Sequence, residues 1–443
     1  MLLLISALLF SSPVLAQDAV LINLADTHSA YDTYGRIINA VQEVSEEYSH
    51  VPTYILVNGD LMETGVIVGV RNAGYLDWLF LEELNRLAPV IVNLGNHEFD
   101  FFSYQDFIDG AAERGLTVIG GISDLSSGSP VALQPVSIDV PAGEHTLTVV
   151  GIATNAMTTY PAAIRDTLSI AQPTEQLRSF LAANPGADNL VVLTHAGVPA
   201  DKQLFGLLDP ADTILAVGGH DHLVFQTTVN GIPYFHNGFR GEQISVVELH
   251  HSGSGWDVSE QSIRIDDTIA DLPGFAKQVA FERLKHLDGH DLAHVGTVPR
   301  DLTLTEAIHW SLEVLRDATG ADVAVANHTT YGSALSAGPL PRYRFNEFMR
   351  FDNDVVQVEV DGATLELILS SSNQDANTPV EDRNGDFIYA TPIDIDPAGT
   401  YTLVTSSFVA LDFNQLNLLN VEGLEFTVIP GITTKGVTEA ALR

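Results

Sequence analysis

Cysteine is absent from all 443 residues, which excludes a disulfide framework, a thiolate metal site and a lipid-bearing cysteine. Basic residues are almost as scarce: 20 Lys and Arg stand against 57 Asp and Glu, for a net charge of −37. Such an imbalance excludes non-specific binding to nucleic acid and to an anionic membrane surface. Beyond the first residues no apolar run is long enough to span a bilayer, so no stable membrane anchor is expected. Apolar residues nevertheless make up 45% of the chain, ample for a folded core, and the length calls for two domains.

The apolar stretch that does occur comes first. Met1 to Phe10 is followed by Ser11-Ser12-Pro13 and then Ala16, which reads as a secretory signal over residues 1–16. With no cysteine, this points to a bacterial periplasm or the external medium.

Five short polar segments carry the chemistry: Asp26-Thr27-His28, Asn58-Gly59-Asp60, Gly95-Asn96-His97-Glu98, Thr194-His195 and Gly219-His220-Asp221-His222. Each follows a run rich in β-branched and aliphatic residues: Val20 to Leu24, Tyr54 to Val57, Val90 to Leu94, Leu190 to Leu193 and Thr213 to Val217. These runs predict buried strands ending in polar loops. In open α/β sheets, sites assemble at the carboxyl ends of strands, so five distant segments can converge. A lone histidine is most often a hydrogen-bonded core or surface residue. Five in strand-end order are not.

The residue types suit two divalent cations about 3.5–4 Å apart, which need a shared anion and neutral donors on either side. Asp60 suits the bridge. The imidazoles suit zinc, manganese, iron or cobalt, while Asp26 and Asn96 add oxygen donors.

With these motifs the sequence resembles the calcineurin-like metallophosphoesterases, and among them the 5′-nucleotidase and UDP-sugar hydrolase branch, from about Val20 to the early 420s. The resemblance implies that Asp26, His28, Asp60 and His222 hold one metal, and Asp60, Asn96, His195 and His220 the other. It also implies that His97 faces the substrate, paired with Asp100. The two ions would be Mn, Zn, Co, Mg or Ca. A water held between two dications loses its proton near neutral pH and becomes a hydroxide nucleophile. The expected reaction is therefore in-line hydrolysis of a phosphate ester with no covalent enzyme intermediate. His97 would stabilise charge on the phosphoryl group and the leaving oxygen.

The implied fold is α/β: a four-layer α/β/β/α catalytic domain over residues 17–265, a linker with a helix over 266–301, and a smaller α+β substrate-recognition domain over 302–443. Periodicity predicts helices at Gly35 to Tyr48 and Leu76 to Leu87, Ala276 to Leu287 reads as a charged helical stretch, and the resemblance implies a helix around Glu306 to Thr319. A closing hairpin is predicted from Ser245 to Leu249 and Trp256 to Ile265. His286, His290 and His294 recur every four residues, but Gly289 interrupts that spacing, and an exposed linker is the simpler reading. Asn384-Gly385 reads as a hairpin turn.

The second domain departs most from the family pattern. A loop resembling Asn-Gly-Gly-x-x-Arg here runs from Asn327 through His328-Thr329-Thr330-Tyr331 to Gly332, so its glycines and its arginine are replaced. Arg350-Phe351-Asp352-Asn353 matches a stretch in which proline usually precedes the phenylalanine. Asn327 and Phe351 are the implied substrate contacts. Arg342, Arg344 and Arg350 cluster nearby, and surface ion pairing is the favoured reading of all three. Phe387 and Tyr389 are the candidates to stack on a base, although strand-core packing is the better reading of each. The segment Phe408 to Phe413 stands where a second stacking loop is usual, without its glycine pair. The sequence thus reads as a phosphoesterase of a nucleotide or related small phosphate ester. The alternatives are a cyclic-nucleotide phosphodiesterase, a UDP-sugar hydrolase, a non-nucleotide phosphatase, or a non-catalytic metal-containing binding protein. A related subgroup that hydrolyses a sulfur ester replaces the Gly-Asn-His element, which His97 argues against here.

Overall fold

The computed structural model describes residues 17–253, 255–374, 378–410 and 418–443. The expected signal segment, Ser254 of the hairpin loop and Leu411 to Phe413 lie outside the described residues.

Three of the five apolar runs that precede the polar loops are parallel strands of one six-stranded sheet, and the other two are parallel neighbours in a second. In the first sheet, Ala19–Leu24, Thr53–Asn58, Val90–Asn93 and Thr117–Ile119 run parallel in that order. The antiparallel hairpin Gln243–His251 with Trp256–Arg264 extends the sheet beside Ala19–Leu24. In the second sheet, Leu190–His195 lies parallel between His145–Ala153 and Thr213–Gly218. Ile232–Asn237 continues beside Thr213–Gly218, with antiparallel Val224–Val229 and Ser137–Ala142 at the two edges.

Strand alternation makes the layers. Ala19, Leu21, Tyr54, Leu56 and Ile91 face Leu147, Val149, Val191, Leu193 and Val217 of the second sheet in one inter-sheet core. Their chain neighbours Val20, Ile22, Leu24, Ile55 and Val57 face the other way and pack under helices. Helix Tyr31–Glu47 buries Tyr34, Ile37, Ile38, Val41 and Val44, the spacing of one helical face. Tyr75–Leu87 and Tyr104–Glu113 complete that layer. On the far side, Pro173–Ala183 and Val198–Leu204 cover the second sheet. The result is α/β/β/α.

Helix Pro273–His286 buries Phe275 and Val279 in the first helical layer, so it is packed rather than free. The helix ends at His286, which pairs with Glu282 at 3.1 Å, and His294 opens strand His294–Val298. The three spaced histidines therefore share no helical face.

The remainder is built on a five-stranded sheet ordered Ile388–Ala390, Val323–Asn327, Thr400–Ser406, Asp354–Asp361 and Thr427–Thr433. Helix Leu304–Thr319 covers one face and Gly362–Leu369 the other. Thr303 and Glu306 close the first of these helices with a reciprocal capping box. One expectation fails: Asn384-Gly385 makes no hairpin turn. Residues Val380–Asp382 form a 3-10 turn, and Gly385 lies against Pro199 and Asp221 of the first domain. Its φ of +82° and its tight approach to that surface explain the glycine better than a hairpin does.

Candidate metal centre and active site

All five polar loops meet at the carboxyl edge of the two sheets. Asp26, His28, Asp60 and Asn96 come from the first sheet, and His195, His220 and His222 from the second. The ligand atoms of Asp26, His28 and His222 lie within 4.8 Å of one another, as do those of Asp60, His195 and His220.

Asp60 links the two groups. Its Oδ1 accepts the backbone N–H of Asn96 at 2.8 Å and of His97 at 2.9 Å. That leaves Oδ2 directed between His28 Nε2 at 3.8 Å and His195 Nε2 at 3.1 Å. Asp26 accepts the backbone N–H of His220, and its Oδ1 stands 3.9 Å from His28 Nε2 and 3.8 Å from the Nε2 atoms of His195 and His222. His28 Nε2 and His222 Nε2 approach to 2.9 Å.

The ring nitrogens are oriented from behind, as metal-binding imidazoles require. His195 Nδ1 donates to the Asn58 carbonyl at 2.7 Å, which turns Nε2 into the site. His28 Nδ1 faces Glu63 Oε2 at 3.5 Å. The Asn96 carboxamide donates from Nδ2 to the Thr159 carbonyl, so Oδ1 points inward. Asn96 Oδ1, His195 Nε2 and His220 Nδ1 are buried with no hydrogen-bond partner. Buried polar atoms without partners are costly, and here they belong to three residues whose loops meet at Asp60. That donor set fits a divalent cation.

Protonation agrees. Burial holds His28 near a pKa of about 3, assisted by the Arg350 charge, and His220 near about 4. Both are neutral at pH 7, the form in which an imidazole can hold a metal. Burial alone would depress His195, but Asp60 and Asp26 outweigh it and raise the ring to about 10. A proton there balances the same two carboxylates that a dication would balance.

Backbone geometry shows how closely the loops are constrained. Asp26, His28, Asp60, His220 and His222 all adopt positive φ, between 45° and 78°. For residues with a side chain this costs on the order of 1 kcal/mol each. Gly59, at φ +76°, has no room for a side chain: a Cβ would stand 2.5 Å from His195 Nδ1.

His97 sits at the edge of the two groups, its ring 4.9 Å from that of His28. Its Nδ1 bonds Asp100 Oδ2 at 3.0 Å, and Asp100 also accepts the Thr64 N–H. Burial pulls the His97 pKa down, but Asp100 and then Asp60 lift it to about 10.

Several functional neighbours have little sequence signal. Glu98 accepts the backbone N–H groups of Leu61 and Gly95, tying two ligand loops together. Asn58 donates to the carbonyls of Thr194 and Val217, and Asn93 to that of Leu193, so both asparagines stitch one sheet to the other. Nothing in the sequence pattern singles out Glu63. The expected surface pairing fails for Arg350, which is buried against Glu63 and His97. It holds for the other two arginines: Arg342 pairs with Glu439, and Arg344 with Asp32 and Glu347, away from the metal ligands.

Asn327 is buried and binds Thr329 and Asp386 from Nδ2, and accepts from Thr330. Phe351 is 41% exposed beside the Arg350 guanidinium. Phe387 stacks on His328 at 4.3 Å, and Tyr389 is core. His328 donates to the Asp221 carbonyl at 2.7 Å and pairs with Asp386, pinning the second domain onto the ligand loop of the first.

Residues 20–224 match the family model for calcineurin-like phosphoesterases. This part of the chain is a calcineurin-like phosphoesterase domain. The chain is accordingly a metal-dependent phosphoric ester hydrolase, and the family of the matched domain is built around two divalent ions. No curated protein matches it by sequence. Among solved structures it is similar to a 5′-nucleotidase precursor from Thermus thermophilus, at 16% identity over 96% of each chain with a TM-score of 0.64. It is also similar to the sulfate thiohydrolase SoxB from Thermus thermophilus, at 13% identity over 97% of this phosphoesterase and 94% of that chain, TM-score 0.68. A 5′-nucleotidase from Candida albicans matches at 13% identity over 96% and 98%, TM-score 0.66. At these identities the likeness shows a shared two-domain fold. Among the described residues of this phosphoesterase, no helix is long and apolar enough to cross a membrane.

Proposed function

We propose that this protein is an exported, dimetal-dependent phosphoesterase that hydrolyses a nucleotide or related small phosphate ester. The observation that carries the reading is the set of partnerless buried donors, Asn96 Oδ1, His195 Nε2 and His220 Nδ1, gathered beside Asp60. Asp26, His28, Asp60 and His222 would hold one ion, and Asp60, Asn96, His195 and His220 the other, with manganese, zinc, cobalt, magnesium or calcium as candidates. When bound, such a pair supplies a nucleophile from water at neutral pH and neutralises phosphoryl charge.

The chain's own groups do the rest. Asp60 would be shared by the two ions, and the backbone N–H groups of Asn96 and His97 on Oδ1 hold its carboxylate in place. His97, protonated and held at Nδ1 by Asp100, presents Nε2 to the phosphoryl group and the leaving oxygen. Phe351 remains an accessible aromatic at the rim, while the Asn327 side chain shapes its own loop rather than reaching outward.

A second reading, a small non-nucleotide ester, is favoured by Phe387 and Tyr389. Both candidate base-stacking rings are packed within the protein, as the strand-core reading of each expects. Turnover by manganese- or zinc-loaded protein of AMP, UDP-glucose, a 2′,3′-cyclic nucleotide, a sugar phosphate and an aryl phosphate separates the two. Preference for nucleotides supports the first, and turnover of the sugar or aryl phosphate alone supports the second. Activity unaffected by a chelator would sink both. Export is supported by the apolar first ten residues and the lack of cysteine. Amino-terminal sequencing of the mature protein checks it, with Gln17 the expected first residue.

A further inference from the structure

The guanidinium of Arg350 enters the metal centre from the second domain. It is 8% exposed. Nη2 touches Glu63 Oε2 and stands 3.4 Å from His97 Nε2, and Nη1 donates to the Thr329 carbonyl at 3.1 Å. Nε is buried with no partner. A guanidinium has no acceptor atom, so Arg350 brings an unpartnered buried Nε–H and the Nη2 donor to the edge where His97 Nε2 stands. Convergent buried donors call for an anionic oxygen shared between them.

At present the nearby anion is the protein's own. Glu63 Oε2 sits against Arg350 and 3.5 Å from His28 Nδ1, while Oε1 accepts the Gly65 N–H at 2.7 Å. Glu63 therefore keeps the Gly65 hydrogen bond and its 3.5 Å approach to His28 Nδ1 if Arg350 is taken from it. The stem of Arg350 also has a reserved path. A Cβ at Gly332 would stand 3.1 Å from Arg350 Cγ and 3.2 Å from Cδ, so a side chain at 332 and Arg350 in this pose exclude each other.

We propose that Glu63 is an internal stand-in for the substrate: a phosphoryl group binds by displacing the Glu63 carboxylate from Arg350, and Glu63 falls back on His28 Nδ1 and Gly65. The phosphoryl oxygen then bridges Arg350 and His97 Nε2. No bond to the protein forms or breaks. The exchange sets specificity, because a monoester dianion replaces the lost carboxylate charge and a diester monoanion does so less well. The substrate class is accordingly the phosphomonoester. This rests on the phosphoesterase reading only for turnover, since the exchange itself is a binding event.

The test is calorimetric titration of manganese-loaded, full-length protein with inorganic phosphate. Metal content and thermal melting are checked for every variant. Arg350→Gln is expected to weaken phosphate at least tenfold. Glu63→Gln, which removes the competing charge, is expected to tighten it three- to tenfold. Glu63→Asp, which withdraws the carboxylate from Arg350, should tighten it too if the Gln variant folds poorly. A phosphate Kd within twofold of wild type in Arg350→Gln overturns the proposal. So does weaker binding in both Glu63 variants, the result expected of a merely structural ion pair, and so does a failure of wild type and both Glu63 variants to bind phosphate. Arg350-dependent binding in a protein that hydrolyses no ester would leave the exchange standing and remove the catalytic reading. Hydrolysis with Arg350-independent binding would do the reverse.

Discussion

In the proposed reading a single imidazole separates metal binding from catalysis. His97 lies beside the ligands but bonds Asp100 through Nδ1. His97→Ala should therefore lower kcat by about 10²–10⁴-fold, the usual weight of a positioned acid, while two metals per chain remain bound. Elemental analysis beside steady-state kinetics checks this, and loss of metal in the variant would reassign His97 as a ligand. Gly59 makes the opposite case. A methyl group there collides with His195, and the φ of +76° disfavours any side chain. Gly59→Ala should lower the metal stoichiometry from two towards one and depress Tm. A fully loaded, equally stable variant would contradict the crowding argument.

Within the elements, charge is buried where sequence pattern alone would not put it. Asp77, in helix Tyr75–Leu87, accepts hydrogen bonds from Tyr31 at 2.8 Å and Tyr34 at 2.9 Å beneath helix Tyr31–Glu47. Burial raises its pKa from 3.8 to about 7. The native state thus keeps this proton after the unfolded chain has released it. Stability is greatest below about pH 4 on this account and falls by roughly 2–4 kcal/mol as pH rises towards 7. Urea melts of wild type and Asp77→Asn between pH 4 and 8 should show a smaller decline in the variant, and parallel curves would refute it. At the capping box, Thr303→Ala should cost about 1 kcal/mol. The strands and helices were legible because period 2 and period 3.6 are written in side-chain types, and the clustering of the candidate ligands because they end apolar runs. Arg350, Glu63 and Asp77 were not, since their burial depends on elements far away in the chain. The Asn384-Gly385 turn misled because local propensity yields to the wall at Pro199 and Asp221.

Across the whole molecule, like-charge repulsion at −37 opposes compaction. Added sodium chloride should therefore raise Tm between about 0.02 and 0.5 M, although Arg71 with Asp291 and Arg344 with Asp32 would lose some attraction. A Tm that falls with salt would mean that those pairs outweigh the global field. Chelation should lower Tm by several degrees, because ions that bind only the native state add on the order of 3–4 kcal/mol when well above Kd. Each expected ion takes ligands from both sheets: Asp26, His28 and Asp60 with His222, and Asp60 and Asn96 with His195 and His220. The centre is thus a fastener set across a seam. One end of the sandwich is held by metal and the other by ordinary apolar packing, so demetallation should let the sheets part from the carboxyl edge first. Hydrogen exchange would register this as early labelling of Leu193, Thr194 and Val217, while Val191 and Leu21 stay protected.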